Sequence, residues 1–245
     1  MARDALVSPR TYAIPSPMSQ SYFTPATFRF MRALDRHNER TWFHAHKDEY
    51  ERHVREPFLR FITDMQEPLS AISPHFRADP RKMGGSLFRV YRDTRYAHEK
   101  SPYKPWQGAR FGHERRREID APSFHLHLQP GNCFAGGGMW QPESDALKHI
   151  REFIVDNPAA WKRATRSRQF RTHLALGGDS LVRAPRGYDP AHELIDDLKR
   201  KSFVALAGFD EELACSPRLL TWIVATFKQA APLVDYLCAA RELEF

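Results

Sequence analysis

Hydrophobic positions recur at helical spacing from Phe23 to Leu69. Thr24 is placed to cap a first helix, Pro25 suits its first turn, and Phe23 is positioned to staple onto Phe28. Phe30, Met31 and Leu34 continue that stripe, and RHNER interrupts it. A second helix is predicted from Arg40, with Trp42, Phe43, His46, Tyr50, Val54, Phe58, Phe61, Ile62, Met65 and Leu69 on one side. Pro57 lies inside that run and removes a backbone donor, which predicts a kink or a restart.

From about residue 74 to 140 the period changes to two. SLFRVYRD alternates Phe88, Val90 and Arg92 with Arg89, Tyr91 and Asp93, which predicts a strand with chemically different faces. SFHLHLQPGNCFAGGG reads as a hairpin, with Phe124, Leu126 and Leu128 opposed to Ser123, His125 and His127 and PGN at the turn. Between them, EKSPYKPWQGARFGHERRR reads as a Pro/Gly/Arg-rich loop. Helical spacing returns with Leu147, Ile150 and Ile154. GGDSLVRAPRGYD predicts a turn, a short strand and a loop; HELIDDLKRK a short helix; and SFVALAG a strand. A last helix runs from Pro217 through Leu220, Ile223, Val224, Phe227, Val234 and Leu237, with a bend at Pro232. This order is not a regular βαβ alternation. It predicts a single α+β domain over 23–245, a mainly antiparallel sheet flanked by N-terminal and C-terminal helices, after a flexible Pro/Ser-rich tail at 1–22. Met18 is an alternative start.

Composition narrows the setting. Of 245 residues 42% are hydrophobic, enough for a sizeable core, yet no apolar run approaches the ~20 residues of a membrane span. The three cysteines are far apart and form no C-x-x-C, so neither a disulfide framework nor a zinc knuckle is supported, and a cytoplasmic location is expected. The net charge of +7 is concentrated: residues 81–117 hold eleven Lys/Arg against three acids, and the rest of the chain is close to neutral. Such a local field attracts phosphate, carboxylate or nucleic acid.

The densest part of that window is FRVYRDTRYAHEKSPYKP. Arginine forks suit oxyanions, so Arg89, Arg92 and Arg95 are candidate ligand-binding residues, with Lys100 and Lys104 adding charge from a loop stiffened by Pro102. Asp93 is expected to orient an arginine or serve as a base, and Tyr91, Tyr96 and Tyr103 to wall the pocket. Asn38, Arg40 and Trp42 are further candidates at a helix corner. Internal pairing of Arg92 or Arg95 with Asp93 or Glu99 is the alternative. The expected partner is an anionic small molecule, most plausibly phosphate-bearing, with an enzyme on a phosphorylated metabolite as one version. A nucleic-acid-binding module built on the basic and aromatic residues 81–117 is the other reading.

Other chemistries find little support. His125 and His127 share a face, but no third and fourth ligand is announced, so no metal is expected. GGG at Gly136–Gly138 is not followed by Lys-Ser/Thr, Ser123 lacks a nucleophile-elbow setting, and no cofactor motif is present.

These blocks resemble a known family. LDRHNERTWF is similar to the Leu-x-x-Asn-Asn-x-Arg-x-Trp-Phe opening of the conserved hypothetical proteins of bacteria and fungi grouped as domain-of-unknown-function family 2461. His37 replaces the first Asn, while Asn38, Arg40, Trp42 and Phe43 fit. FRVYRDTRYAHEKSPYKP resembles the family's most specific signature through Arg89, Tyr91, Arg92, Asp93, Thr94, Arg95, Lys100, Pro102, Tyr103 and Lys104. GGGMWQP, PRGYDPAHEL and LKRKSF are weaker matches. The resemblance implies a shared α+β fold from about Phe23 to Leu243 and no established reaction.

Overall fold

The computed structural model describes residues 21–93, 95 and 100–245. Residues 1–20 of the expected 1–22 tail, together with Thr94, Tyr96 and Glu99, lie outside them. Packing is already present at Tyr22, which is buried and whose hydroxyl donates to Asp64 at 2.5 Å.

The first helix, α1 (Pro25–Arg36), starts as its sequence directs, with Thr24 extended and its N–H donating to Thr27 Oγ1 at 3.2 Å. The second amphipathic run is broken into α2 (Arg40–Ala45), α3 (Lys47–Tyr50), a π turn (Glu51–Arg55), α4 (Glu56–Asp64) and α5 (Gln66–Ser70). Pro57 explains the wide turn. It cannot donate to the His53 carbonyl four residues back, and the Thr27 hydroxyl supplies that bond instead, at 2.8 Å. The missing donor is thus turned into a tie between α1 and the π turn.

The described strands form one antiparallel sheet in the order β1-β2-β3-β4-β6-β5. They are β1 (Phe76–Arg77), β2 (Gln107–His113), β3 (Ser123–Leu128), β4 (Cys133–Met139), β5 (Ala175–Gly177) and β6 (Phe203–Phe209). With helices before and after it, this is the expected α+β architecture.

Two expectations within the sheet region need correction. Gln107–His113, predicted as loop, is a full strand bonded to both β1 and β3. Its alternation is hidden because the outer positions are Gly108, Arg110 and Gly112, while Gln107, Ala109, Phe111 and His113 point inward. Conversely, Phe88–Asp93 is no continuous strand. The segment meets β2 through one bridge, Leu87 to Ala109, and pairs with the residues before β2 through another, Tyr91 to Tyr103. Pro102 and Pro105 bring no N–H to its partner segment, so a regular ladder cannot propagate. The Gln107 side chain donates to the Phe88 carbonyl at 2.7 Å in place of a backbone group.

One sheet face carries the core. Ala109, Phe111, Phe124, Leu126, Leu128, Ala135 and Ala205 are fully buried there, each large one worth roughly 1.5–3 kcal/mol in removed apolar surface. The final helix, α11 (Leu219–Ala239), lies across β4, β3 and β6, and Phe227 stacks on Phe124 at 4.9 Å. Gly137 permits this closeness: a Cβ there would meet Val234 Cγ2 at 2.7 Å and Phe124 Cδ1 at 2.9 Å. Helices α6 (Ser144–Asp156), α7 (Pro158–Arg166) and α8 (Arg168–His173) precede β5, and α7 and α8 pack against α11. Two short helices, α9 (Ile195–Leu198) and α10 (Glu211–Ala214), complete the chain order. No helix among the described residues is long and apolar enough to cross a membrane.

Candidate functional site

On the face of the sheet opposite α11, the described strand residues line a cavity. Strand pairing sets Arg110 opposite His125, Gly112 opposite Ser123, His127 opposite Phe134, and Gly138 opposite Val204, all with the parity that points away from α11. Over these residues lies a cavity of about 400 Å³, inside the ~300–1,000 Å³ range of small-molecule pockets. Phe88, Trp106, Phe134 and Trp140 supply its aromatic lining, and Arg110, Asp120, Ser123 and His125 its polar groups.

Arg110 is the notable polar group. Its Nη2 donates to the Ala121 carbonyl at 3.2 Å, while its buried Nε has no hydrogen-bond partner. Burial lowers its pKa, Asp120 opposes that shift, and Arg116 adds to it. A guanidinium with an unused donor, taken largely out of water, is costly unless an anion completes it. His125, which lies beside it on β3, is pushed down to about 3 by burial first, then by the charges of His127 and Arg110. It is therefore a neutral imidazole at physiological pH, able to hydrogen-bond without adding charge. His127 is also held down by burial, bonds Gln129 Oε1 through Nε2 at 3.1 Å, and stacks on Phe134 at 4.4 Å.

The basic segment named from sequence is split by the fold. Arg40, Arg92 and Tyr103 meet, with His44, Tyr91 and Pro102, in a shallow open hollow of about 280 Å³. Tyr103 is buried there and stacks on Phe43 at 4.2 Å. Asn38 has a structural task, since its Nδ2 donates to the Tyr103 carbonyl at 3.0 Å and its Oδ1 accepts from the Tyr103 N–H at 2.9 Å. Trp42 stacks between His37 and His46, at 5.7 and 4.1 Å. Arg95 grips Asp93 with two parallel bonds, at 3.0 and 2.7 Å, in full solvent. That pairing draws the Asp93 pKa down to about 2, which suits an orienting carboxylate and not a proton acceptor near neutrality. Arg89 and Lys100 are exposed.

Lys104 belongs to the other place. Its ammonium lies 4.9 Å from the Trp106 ring centre and 5.6 Å from that of Phe88, both walls of the sheet-face cavity, and donates to the Arg89 carbonyl at 3.3 Å. Burial, then the nearby Arg92, lowers its pKa. Of the candidates named from sequence, Arg40, Arg92 and Tyr103 thus share the hollow, and Lys104 flanks the cavity.

The model of the conserved hypothetical protein family DUF2461 matches residues 26–236. The chain belongs to that family. No curated protein and no solved structure matches it. In this DUF2461 chain the segment that most resembles the family contributes Phe88 to the cavity lining, with Lys104 flanking it, and Arg92 and Tyr103 to the hollow. Arg110, Ser123, His125 and Trp140 escaped sequence reasoning as site residues. The usable signal was Gly-x-Arg-x-Gly on β2 facing Ser-x-His-x-His on β3, which places small and polar residues on one side of two adjacent strands.

Proposed function

We propose that this DUF2461 protein binds a small anionic molecule in the open-face cavity, its oxyanion on Arg110 and its apolar body against Phe88, Trp106 and Phe134. The observation that carries this reading is Arg110, whose side chain lines a mostly apolar cavity and whose buried Nε has no hydrogen-bond partner among the described residues. A carboxylate or phosphate would complete the guanidinium with charge-assisted bonds, worth about 1.5–3 kcal/mol each where water is excluded. Ser123 and neutral His125 add donors or acceptors that fix orientation without competing for the anion.

The test is thermal shift and calorimetry with carboxylates and phosphate monoesters on apolar bodies, run on wild type, Arg110→Met and Arg92→Ala. Binding that Arg110→Met removes and Arg92→Ala leaves intact supports the cavity. Loss with Arg92→Ala alone moves the site to the Arg40–Arg92 hollow and overturns the assignment. Arg116 favours a second reading: its side chain crosses Gly112, so basic groups continue along the same face beyond the cavity. A single nucleic-acid strand lying there would bind with a steep salt dependence from displaced counterions. A small ligand would show only screening.

A further inference from the structure

We propose that the anion accepted by this cavity is a flat aromatic one, a ring system bearing a carboxylate or phosphate, clasped between Trp106 on the wall and Trp140 at the lip. This rests on the reading of the cavity as an anion site and adds the class of molecule it takes.

The first ground is the shape and chemistry of the lining. Trp106 lies 4.7 Å from His127, His127 4.4 Å from Phe134, and Phe88 5.6 Å from His125. These rings pack against one another along one side of the sheet, and Phe88, Trp106 and Phe134 among them line the cavity, with Lys104 polarising the Phe88 and Trp106 end. Beside Val204 and Leu206, Gly138 brings bare backbone to the lining. Gly138 has φ of 136°, and a Cβ there would collide with the Phe203 carbonyl at 2.0 Å, so no side chain can rise from that point. A lining of aromatic rings and bare backbone favours a flat face over a branched body.

The second ground is Trp140, which is 62% exposed and lines the cavity mouth. A tryptophan is seldom left in water without a surface to cover, and this one is held in place. The next residue, Gln141, has φ of 45°, a left-handed conformation that a residue with a side chain adopts at a cost. Its N–H is anchored by the buried Ser202 Oγ at 2.9 Å. A strained, anchored turn that presents an indole at a pocket mouth is the arrangement of a stacking lip. Arg110 at the floor then receives the oxyanion, and its planar fork matches a carboxylate or phosphate.

The experiment uses matched pairs: 2-naphthoate against decahydro-2-naphthoate, and phenyl phosphate against cyclohexyl phosphate. Each pair has the same charge and similar apolar volume, and differs in the π face. Calorimetry on the full chain is expected to show the aromatic member of at least one pair binding about threefold to tenfold tighter, the value of one stacked contact beyond burial. Which pair binds distinguishes carboxylate from phosphate. Trp140→Leu, a change at an exposed position, is expected to bring the ratio close to one with the thermal midpoint unaltered. Equal binding of both members to wild type, abolished by Arg110→Met, overturns the aromatic class and leaves the anion site standing. A ratio that survives Trp140→Leu overturns the lip. No binding of any member, or binding indifferent to Arg110→Met, overturns the anion reading and this one with it.

Discussion

Phe124 and His125 are neighbours on one strand and live in different worlds. Phe124 is fully buried beneath α11, against Phe227 at 4.9 Å and Phe76 at 5.1 Å. His125 faces a cavity, beside an arginine whose Nε has no partner. On the first face the large side chains over the sheet's centre, Phe111, Phe124, Leu126 and Leu128, are apolar and fully buried. On the second, glycines, an arginine and two histidines occupy positions that a second helical layer would need for packing. The difference teaches that the two faces are chemically distinct: the open one mixes polar groups with Phe134, Val204 and Leu206 around a cavity.

That contrast can be broken experimentally. Phe124→Ala is expected to cost about 3–5 kcal/mol, read as a fall in the urea midpoint. Phe134→Ala, its counterpart on the open face, is expected to cost about 1 kcal/mol. Equal costs would erase the distinction between the faces.

The next effect is in pH. The folded-state pKa of His125 is lowered to about 3 from an ordinary 6.5, so between those values the unfolded chain takes up a proton that the native state refuses. Stability is therefore complete above about pH 6.5 and declines as pH falls, by on the order of 1–2 kcal/mol between pH 7 and 5. His113 and His127 act in the same direction. His125→Asn should flatten the wild-type slope in urea titrations at pH 7, 6 and 5. An unchanged slope would show that His125 is well hydrated and that the open face is no cavity.

Arg110→Met sharpens the comparison from the other side. An apolar side chain of similar length removes an incompletely bonded buried charge, and such exchanges are commonly neutral or stabilising. The urea midpoint is expected to hold or rise. A marked fall would mean that Arg110 braces the fold. The smallest effect belongs to a charge outside both faces. Asp93→Ala removes an ion pair that lies in solvent, and no change in the urea midpoint at pH 7 is expected.

Much of the packed face was legible in the sequence because burial writes itself as periodicity. Phe124, Leu126 and Leu128 alternate, and the α11 stripe recurs at helical spacing. The open face wrote almost nothing. On β2 its signature is Gly108, Arg110 and Gly112, residues that elsewhere signal a loop, so the strand itself was misread. Charge counting found the basic window correctly but could not say which arginine leaves water. That depends on which strand turns it toward Phe88 and Trp106, a matter of tertiary pairing. It pointed to Arg92 and Arg95, whereas Arg110, with less striking neighbours, is the one in the cavity. Asn38 was legible as a notable residue, but its role in tying the Tyr103 backbone follows only from the fold.

The sheet ends in very short strands, two residues in β1 and three in β5. A sheet with one uncovered face and long free borders would invite a neighbouring molecule to zip onto it and build fibrils. Here the outermost strands are brief. Brevity at the rim is one of the devices by which a sheet discourages pairing with a second chain.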